Sequence, residues 1–545
     1  MEGWIRSSLL HSKVQPATLT LIAAAVVIVA VCYANSVPND FILDDYAIVA
    51  LNPAIRTIAP VQVFKAPYWG EKSDAGIYRP LTIFSFSLEY PLWHRWAGGY
   101  RLTNLLLHTI NGLLVFFLAR GLLQSVPAAS LAAAIYLAHP AHTEPVVSLA
   151  GRGELLAAMF FLLAWIFYRQ GRIALCAAAF ALSLFSKENA IAFPAVIALE
   201  TFISHKKVQK ALLGLAAVVS TALLYLGTRM WVLGGLGVPK SAQYLNGHWS
   251  FAQRELTSGR AFLKYFELLI APINVTGDYD FNSIPVATIH DWVAWVGLIA
   301  VGLTILFAVW MLRTQTALGF SILFFYLTML PNSNWIMPTS IIMSERALYL
   351  PSIGICLIAG LLWTNISRPD LRKVLAAGIM VTATLLCIAH NYIWRDDITY
   401  FRNMVRVFPN NVRGRQGFGT ALAEEGQVDQ ARVQFEAGLQ INRNAPLLVG
   451  LSQALMQIDH DCHRARPALE EAAGYSPTDP FVSWLQGACF EKEGSLDKAE
   501  ARYRKAVNDA RFPDPKLLSD WGHMLKEIGR PAEAEDAFRR AALLR

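Results

Sequence analysis

Charge is what this chain has least of. Asp, Glu, Lys and Arg make up 16% of 545 residues, against 54% hydrophobic residues. Soluble domains carry charge on about a quarter of their residues, so a single soluble domain is excluded. A mean hydropathy of +0.37 fits a polytopic membrane protein with a soluble part. Six cysteines are few for this length. The apolar runs show no internal repeat, which argues against a transporter. The net charge of +7 and the pI near 9.0 require no nucleic acid, because loop lysines and arginines on an anionic leaflet account for both.

What the chain has instead is long apolar runs. They fall at 17–35, 103–123, 126–138, 152–168, 173–186, 189–204, 211–232, 291–312, 316–331, 346–365 and 374–393. This predicts about eleven spans, those at 126–138 and 173–186 being short for a bilayer. No small-residue cleavage site clearly precedes Asn35, so the first run reads as a span and not a cleaved signal. Arg6 and Lys13 precede the first run, and His205-Lys206-Lys207-Val208-Gln209-Lys210 follows the sixth. Arg313, Arg368, Arg372 and Lys373 lie in later short loops. An odd span count puts all of these on one side, which the positive-inside rule makes cytoplasmic. The loops 36–100 and 233–290, and everything after the last span, are then expected outside.

Composition changes after His390. The chain becomes polar, and Ala431, Ala465, Ala499 and Ala534 recur at about 34 residues, the tetratricopeptide-repeat period. Gly419 and Phe435, Gly487 and Tyr503, and Gly522 and Phe538 occupy the small and aromatic positions of three repeats. The second repeat is degenerate, with Gln453 where the glycine belongs. We therefore expect an all-α protein: a polytopic helical unit over 1–395 and a repeat α-solenoid of about four repeats over 396–545. Cys32, Cys176, Cys356 and Cys387 read as small apolar residues within spans. Cys462 and Cys489, in the repeats, are either a disulfide or two packed thiols. Asp459-His460-Asp461-Cys462-His463 has metal-ligand chemistry but occupies an interhelical turn, where polar residues are ordinary.

The stretch Asn39-Asp40-Phe41-Ile42-Leu43-Asp44-Asp45 follows the first span. Adjacent carboxylates at a membrane mouth are costly without a task. Asp44 and Asp45 suit a general base beside a second carboxylate, or equally a pair holding a divalent cation. The bland alternatives are a helix cap or a solvated loop pair. Arg79, in Tyr78-Arg79-Pro80, and Arg346, in Ser344-Glu345-Arg346, suit a bidentate phosphate grip. A Glu345–Arg346 ion pair and, for Arg79, a lipid-headgroup anchor are the alternatives. Asn104, His108 and Asn111 share one helix face, as packing groups or as a cavity lining. His139, His142 and Glu144, in a stretch broken by Pro140 and Pro145 and followed by Arg152, form a donor- or acceptor-binding loop more readily than a metal site. Lys187 and Glu188 are placed to neutralise one another.

As an ordered set, FILDDYAIVALNP, YRPLTIFSFSLEYPLW, YRLTNLLLHTINGLL, AHPAHTEPVVSLAGRGELLA, FSKENAI and SERALYLPSIGICL are specific. Followed by tetratricopeptide repeats, they resemble the transmembrane and tetratricopeptide-repeat-containing O-mannosyltransferase-like family, within the wider class of GT-C type polytopic glycosyltransferases. The resemblance implies a polyprenyl- or dolichyl-phosphate sugar donor, mannose as the expected sugar, inverting transfer, and a Ser or Thr acceptor on a protein held by the repeats. It implies Asp44 as base with Asp45 orienting, and donor binding by Arg79, Arg346, His139, His142, Glu144, Arg152 and Lys187. The small repeat number departs from animal members and points to a bacterial relative. The expected location is therefore the inner membrane with periplasmic repeats, or the endoplasmic reticulum with lumenal repeats in a eukaryote. The rival reading is a non-catalytic scaffold that displays repeats, against which stand the many spans and the intact acidic pair.

Overall fold

A computed structural model describes residues 16–70, 76–204, 208–235, 249–280, 282–336, 338–339, 341–459, 462–510 and 514–544. Arg6, Lys13 and residues 205–207 of the basic loop lie outside these, as do His460 and Asp461. Among the described residues the chain is helical, with one isolated bridge between Tyr279 and Met343 and no strand. It divides into two compact units, Met1–Asp396 and Asp397–Arg545.

In the first unit, six helices are long and apolar enough to cross a bilayer: Thr18–Ser36, Ala97–Leu123, Leu149–Arg169, Leu212–Leu233, Trp292–Thr314 and Pro369–Ile393. The runs at 126–138, 173–186, 316–331 and 346–365 form shorter apolar helices, and 189–204 is split. There a 3₁₀ turn, Glu188–Ala192, precedes the Phe193–Ser204 helix. The run at 346–365 is shortened by a 3₁₀ turn, Glu345–Leu348, so its helix starts only at Ser352, after Pro351. Leu224 is 74% and Trp292 73% exposed; large apolar side chains left bare in this way suit hydrocarbon rather than water.

Hydropathy alone missed two helices. Phe251–Ile270, inside the 233–290 loop, is amphipathic and starts at a capping box between Ser250 and Gln253. It packs on Trp292–Thr314 so tightly that a Cβ on Gly297 would lie 2.1 Å from the Gly259 carbonyl oxygen, a backbone approach only glycine allows. Pro80–Trp93 lies inside the 36–100 loop and starts at proline, which is pre-set for a first helical turn. Cys32, Cys176, Cys356 and Cys387 are buried free thiols.

In the second unit, Asp397–Val407 precedes four helix pairs. They are Val412–Glu424 with Val428–Ile441, Ala445–Asp459 with Arg466–Tyr475, Pro480–Lys492 with Leu496–Asp509, and Pro515–Glu527 with Pro531–Leu544. The repeat signature has a direct steric cause. A Cβ on Gly419 would lie 2.6 Å from the Phe435 ring, on Gly522 2.7 Å from Phe538, and on Gly487 3.2 Å from Tyr503. Each glycine of helix A thus makes room for the aromatic of helix B. Ala431, Ala465, Ala499 and Ala534 are buried. Cys462 and Cys489 form a disulfide with Cα atoms 5.5 Å apart, joining the turn of the second repeat to the first helix of the third. Unfolded but unreduced protein should therefore expose four alkylatable thiols, and reduced protein all six. Six thiols without reductant would remove the cross-link.

Candidate functional site

The acidic loop is fixed at both ends. Asn39 Nδ2 donates to the carbonyls of Asn391 (2.9 Å) and Trp394 (3.0 Å), and the Asp40 N–H donates to Arg395 O at 3.0 Å. These bonds tie the loop to the end of the Pro369–Ile393 helix. Leu43 then takes φ +51°, a left-handed conformation that costs an L-residue roughly 1–2 kcal/mol. The reversal sends Asp44 and Asp45 in different directions. Asp44 is exposed and Asp45 fully buried. Asp45 Oδ1 accepts from the Ala150 N–H (3.1 Å) and the Ser148 hydroxyl (3.3 Å). Its Oδ2 is buried without a partner. Burial pushes the Asp45 carboxyl up to about 7, against the opposing pull of Arg101 and the Ala150 N–H.

Arg101 is a site residue that sequence reasoning quoted within a motif and gave no role. Its buried guanidinium donates to the carbonyls of Asn39 and Asp40 and, through Nε, to Val147 O at 3.0 Å. It holds the acidic loop against the 139–151 segment.

Arg79 stands at the start of the Pro80–Trp93 helix. It grips Glu188 in bidentate fashion, Nε–Oε2 2.9 Å and Nη2–Oε1 2.5 Å, with its guanidinium carbon 5.4 Å from the Tyr68 ring centre. Arg346 lies on the Glu345–Leu348 turn and pairs with Glu144. Its backbone N–H is 2.7 Å from Glu144 Oε2, and its Nε is 3.5 Å from Oε1. Arg79 and Arg346 retain 14% and 28% exposure. Burial raises the Glu144 carboxyl to about 8, against the attraction of Arg346.

Two expected pairings are replaced by others. Glu345 does not pair with Arg346. Its Oε1 accepts from the Tyr279 hydroxyl (2.6 Å) and from the Thr276 (2.8 Å) and Gly277 (3.3 Å) N–H groups. Lys187 and Glu188 do not pair with each other, because Lys187 is extended (φ −158°, ψ 138°) and Glu188 opens the 3₁₀ turn after it. Lys187 pairs with Glu154, whose second oxygen accepts from Asn189 at 2.8 Å, while Glu188 turns to Arg79.

The remaining predicted residues lie deeper. Arg152 is fully buried and bonds Glu89 (2.6 Å), Asn104 and the Tyr100 carbonyl (2.8 Å). His139 donates to Leu269 O at 3.1 Å and accepts from the Ala141 N–H at 3.2 Å. His142 donates to Tyr136 O and meets Ser352 Oγ, both at 2.8 Å. Both nitrogens of each ring are thus used within the protein. Asn104, His108 and Asn111 bond Val146 O, Tyr349 and Leu155 O, which makes them packing groups. No group of three or more His, Cys, Asp or Glu side chains among the described residues is arranged to hold a metal.

The exposed groups share one locality. Tyr68 lies in the electrostatic field of Arg79, Asp44, Arg346 and Asp45, and Arg346 in that of Glu144, Asp44 and Arg79. Asp44, open to solvent, thus lies within electrostatic range of Arg346, and both it and the two partly exposed arginines lie within range of Tyr68.

This fold defines a multi-pass helical membrane protein that carries tetratricopeptide repeats. The chain is similar along nearly all its length to protein O-mannosyl-transferases of the TMTC group. It is 24% identical to Protein O-mannosyl-transferase TMTC3 of Mus musculus, over 98% of this chain and 65% of that one. Identity is 28% to human TMTC4 over 76% of this chain and 65% of the relative, and 23% to human TMTC3 over 94% and 63%. The chain thus spans 63 to 65% of the length of these relatives. No family model matches it. Among solved structures, the thermophilic TPR protein TTC0263 of Thermus thermophilus is 19% identical over 31% of this chain and 88% of its own, TM-score 0.24. MamA from Desulfovibrio magneticus is 21% identical over 34% and 93%, TM-score 0.23.

The raised Asp45 carboxyl has a measurable consequence. Near pH 5 the folded state keeps a proton that the unfolded chain releases, so this group's stabilisation is complete below about pH 4 and lost as pH rises through about 7. Asp45→Asn removes that dependence. Its melting temperature should gain on wild type steadily between pH 4 and 7 and hold a constant lead above. A gap that does not change with pH would show that Asp45 titrates normally.

Proposed function

We propose that this chain is an inverting glycosyltransferase that moves a sugar, mannose being the expected one, from a polyprenyl-phosphate donor to a protein hydroxyl at the outer membrane face. The observation that carries this reading is the partly open guanidinium of each of Arg79 and Arg346, with Arg79 set over the Tyr68 ring, in the electrostatic neighbourhood of exposed Asp44. The likeness to protein O-mannosyl-transferases supports the reaction class.

In this mechanism the donor phosphate lies between Arg79 and Arg346, its sugar toward Asp44. Asp44 takes the acceptor's proton. The acceptor oxygen bonds the anomeric carbon from the face opposite the phosphate, and the carbon–oxygen bond to phosphate breaks with its electron pair leaving on the phosphate. The arginines stabilise that developing charge. Asp45, anchored on Ala150 and Ser148, fixes the direction of Asp44. Lys187 adds positive potential behind Arg79, while Arg152, His139 and His142 hold the supporting helices in register. The repeats present the acceptor chain on a soluble surface. A divalent cation on the acidic pair is the alternative use of Asp44; Asp45 suits it poorly, since one oxygen is already committed to Ala150 and Ser148.

Asp44→Asn keeps shape and removes the base, so transfer should fall by roughly 10²–10⁴-fold with membrane insertion intact. Wild-type transfer by purified Asp44→Asn would make the acidic pair structural. If wild type transfers from no polyprenyl-phosphate sugar yet retains a partner through 397–545, the scaffold reading takes its place. Arg79→Ala and Arg346→Ala should each weaken transfer by the worth of a charge-assisted contact, about 1.5–3 kcal/mol. Unchanged kinetics in both at equal protein level would remove them from the donor site.

A further inference from the structure

The residues that would grip phosphate are already occupied by carboxylates. Arg79 is held in bidentate fashion by Glu188, so a donor phosphate must displace that carboxylate before it can use the same fork. Stripping a largely desolvated ion pair of one partner leaves a charge unpaired, which is costly unless another cation takes it. A second guanidinium stands beside the pair. Arg229, on the Val208–Leu233 helix, was given no role by sequence reasoning. Its Nη2 donates to Gly76 O at 2.6 Å and its Nη1 lies 3.5 Å from the Tyr225 hydroxyl. No ion pair among the described residues holds it.

The two arginines are built against each other. Tyr225 stacks on Tyr78, the residue before Arg79, with ring centres 6.4 Å apart, and its hydroxyl lies 3.5 Å from Tyr78 O. Gly76, the acceptor for Arg229, is three residues before Arg79. Glu188 lies in the field of both Arg79 and Arg229, and Tyr225 in the field of all three groups. Glu188 is 35% exposed and Arg79 14%, so the carboxylate is the partner with room to move.

We propose that Glu188 is an exchangeable counter-ion: it caps Arg79 when the site holds no donor and passes to Arg229 when a phosphate takes its place. This rests on the reading of Arg79 as a donor-phosphate residue and assigns Arg229 a positioning role. The exchange leaves both the phosphate and Glu188 paired, so donor entry does not strand a carboxylate. It also keeps Arg79 from holding a free headgroup or inorganic anion with its full strength, because every anion must compete with Glu188.

The test is a double-mutant cycle on the full-length purified protein, read by calorimetric binding of citronellyl phosphate, a short polyprenyl-type phosphate, and by the KM for donor. Arg229→Gln should weaken binding roughly tenfold, since Glu188 then has nowhere to go. Glu188→Gln should bind at least as tightly as wild type, because it removes the competitor. The double variant Glu188→Gln/Arg229→Gln should return to within about threefold of Glu188→Gln. A double variant as weak as Arg229→Gln would mean that Arg229 touches the phosphate directly, and would overturn the exchange. So would a loss of binding in Glu188→Gln. That single variant needs no change at Arg229, so the test survives if Arg229→Gln misfolds. Wild-type protein that binds no citronellyl phosphate would sink the donor reading itself. Wild-type binding with the wrong variant pattern sinks the exchange alone.

Discussion

The contact on which the site depends is the buried guanidinium of Arg101. Three carbonyl groups from two distant segments, Asn39 and Asp40 on one side and Val147 on the other, accept from it. A buried cation is tolerable only where its donors are satisfied and negative charge is near. Asp40 and Asp45 both lie in its field, and its charge opposes the upward push of burial on the Asp45 carboxyl. Stability and site geometry are therefore one arrangement. The left-handed turn at Leu43 persists because the loop is clamped on both sides of the reversal.

The same economy of charge runs through the first unit. Ionisable residues are scarce, and several are held as pairs: Arg152 with Glu89, Lys187 with Glu154, Arg79 with Glu188, Arg346 with Glu144. The first two are deep, and serve to lock helices together. The last two keep measurable exposure on the cationic partner. Position, not residue type, separates anchors from groups free to meet a ligand. This is why Arg152 and Arg79 look alike in sequence and differ in what they can do.

Much of the architecture was legible because apolar length and the 34-residue period are one-dimensional signals. The glycine–aromatic pairs of the repeats, such as Gly419 with Phe435, were readable since both partners sit within one period. The site was legible only in part. Asp44, Asp45, Arg79 and Arg346 stood out as charges beside apolar runs, but their partners are set by folding. Glu188 is 109 positions from Arg79, and Glu144 is 202 from Arg346. Adjacent charges misled: Glu345 and Arg346 face different ways on a 3₁₀ turn, and Lys187 is extended before the turn that Glu188 opens. Arg101 and Arg229 escaped notice because a lone arginine near a span reads as a headgroup anchor. The Phe251–Ile270 helix was missed because its apolar residues form a stripe, not a run.

The histidines show where sequence chemistry and structure part company. His139, His142 and His108 are clustered, with neighbouring ring centres 5.4 to 5.9 Å apart, and resemble a ligand set in composition. A metal would need a free nitrogen lone pair on each. Here the nitrogens are spent on Leu269, Ala141, Tyr136, Ser352, Leu137 and Tyr349. Those partners come from helix ends and turns, whose backbone groups would otherwise be left unsatisfied in an apolar setting. The cluster solves a folding problem: it closes the hydrogen bonds of broken helices in the middle of the unit. It thereby supports the chain of short helical turns over 139–151 that presents Ala150 and Ser148 to Asp45. In this protein the irregular backbone that shapes the site exists because buried polar side chains satisfy it.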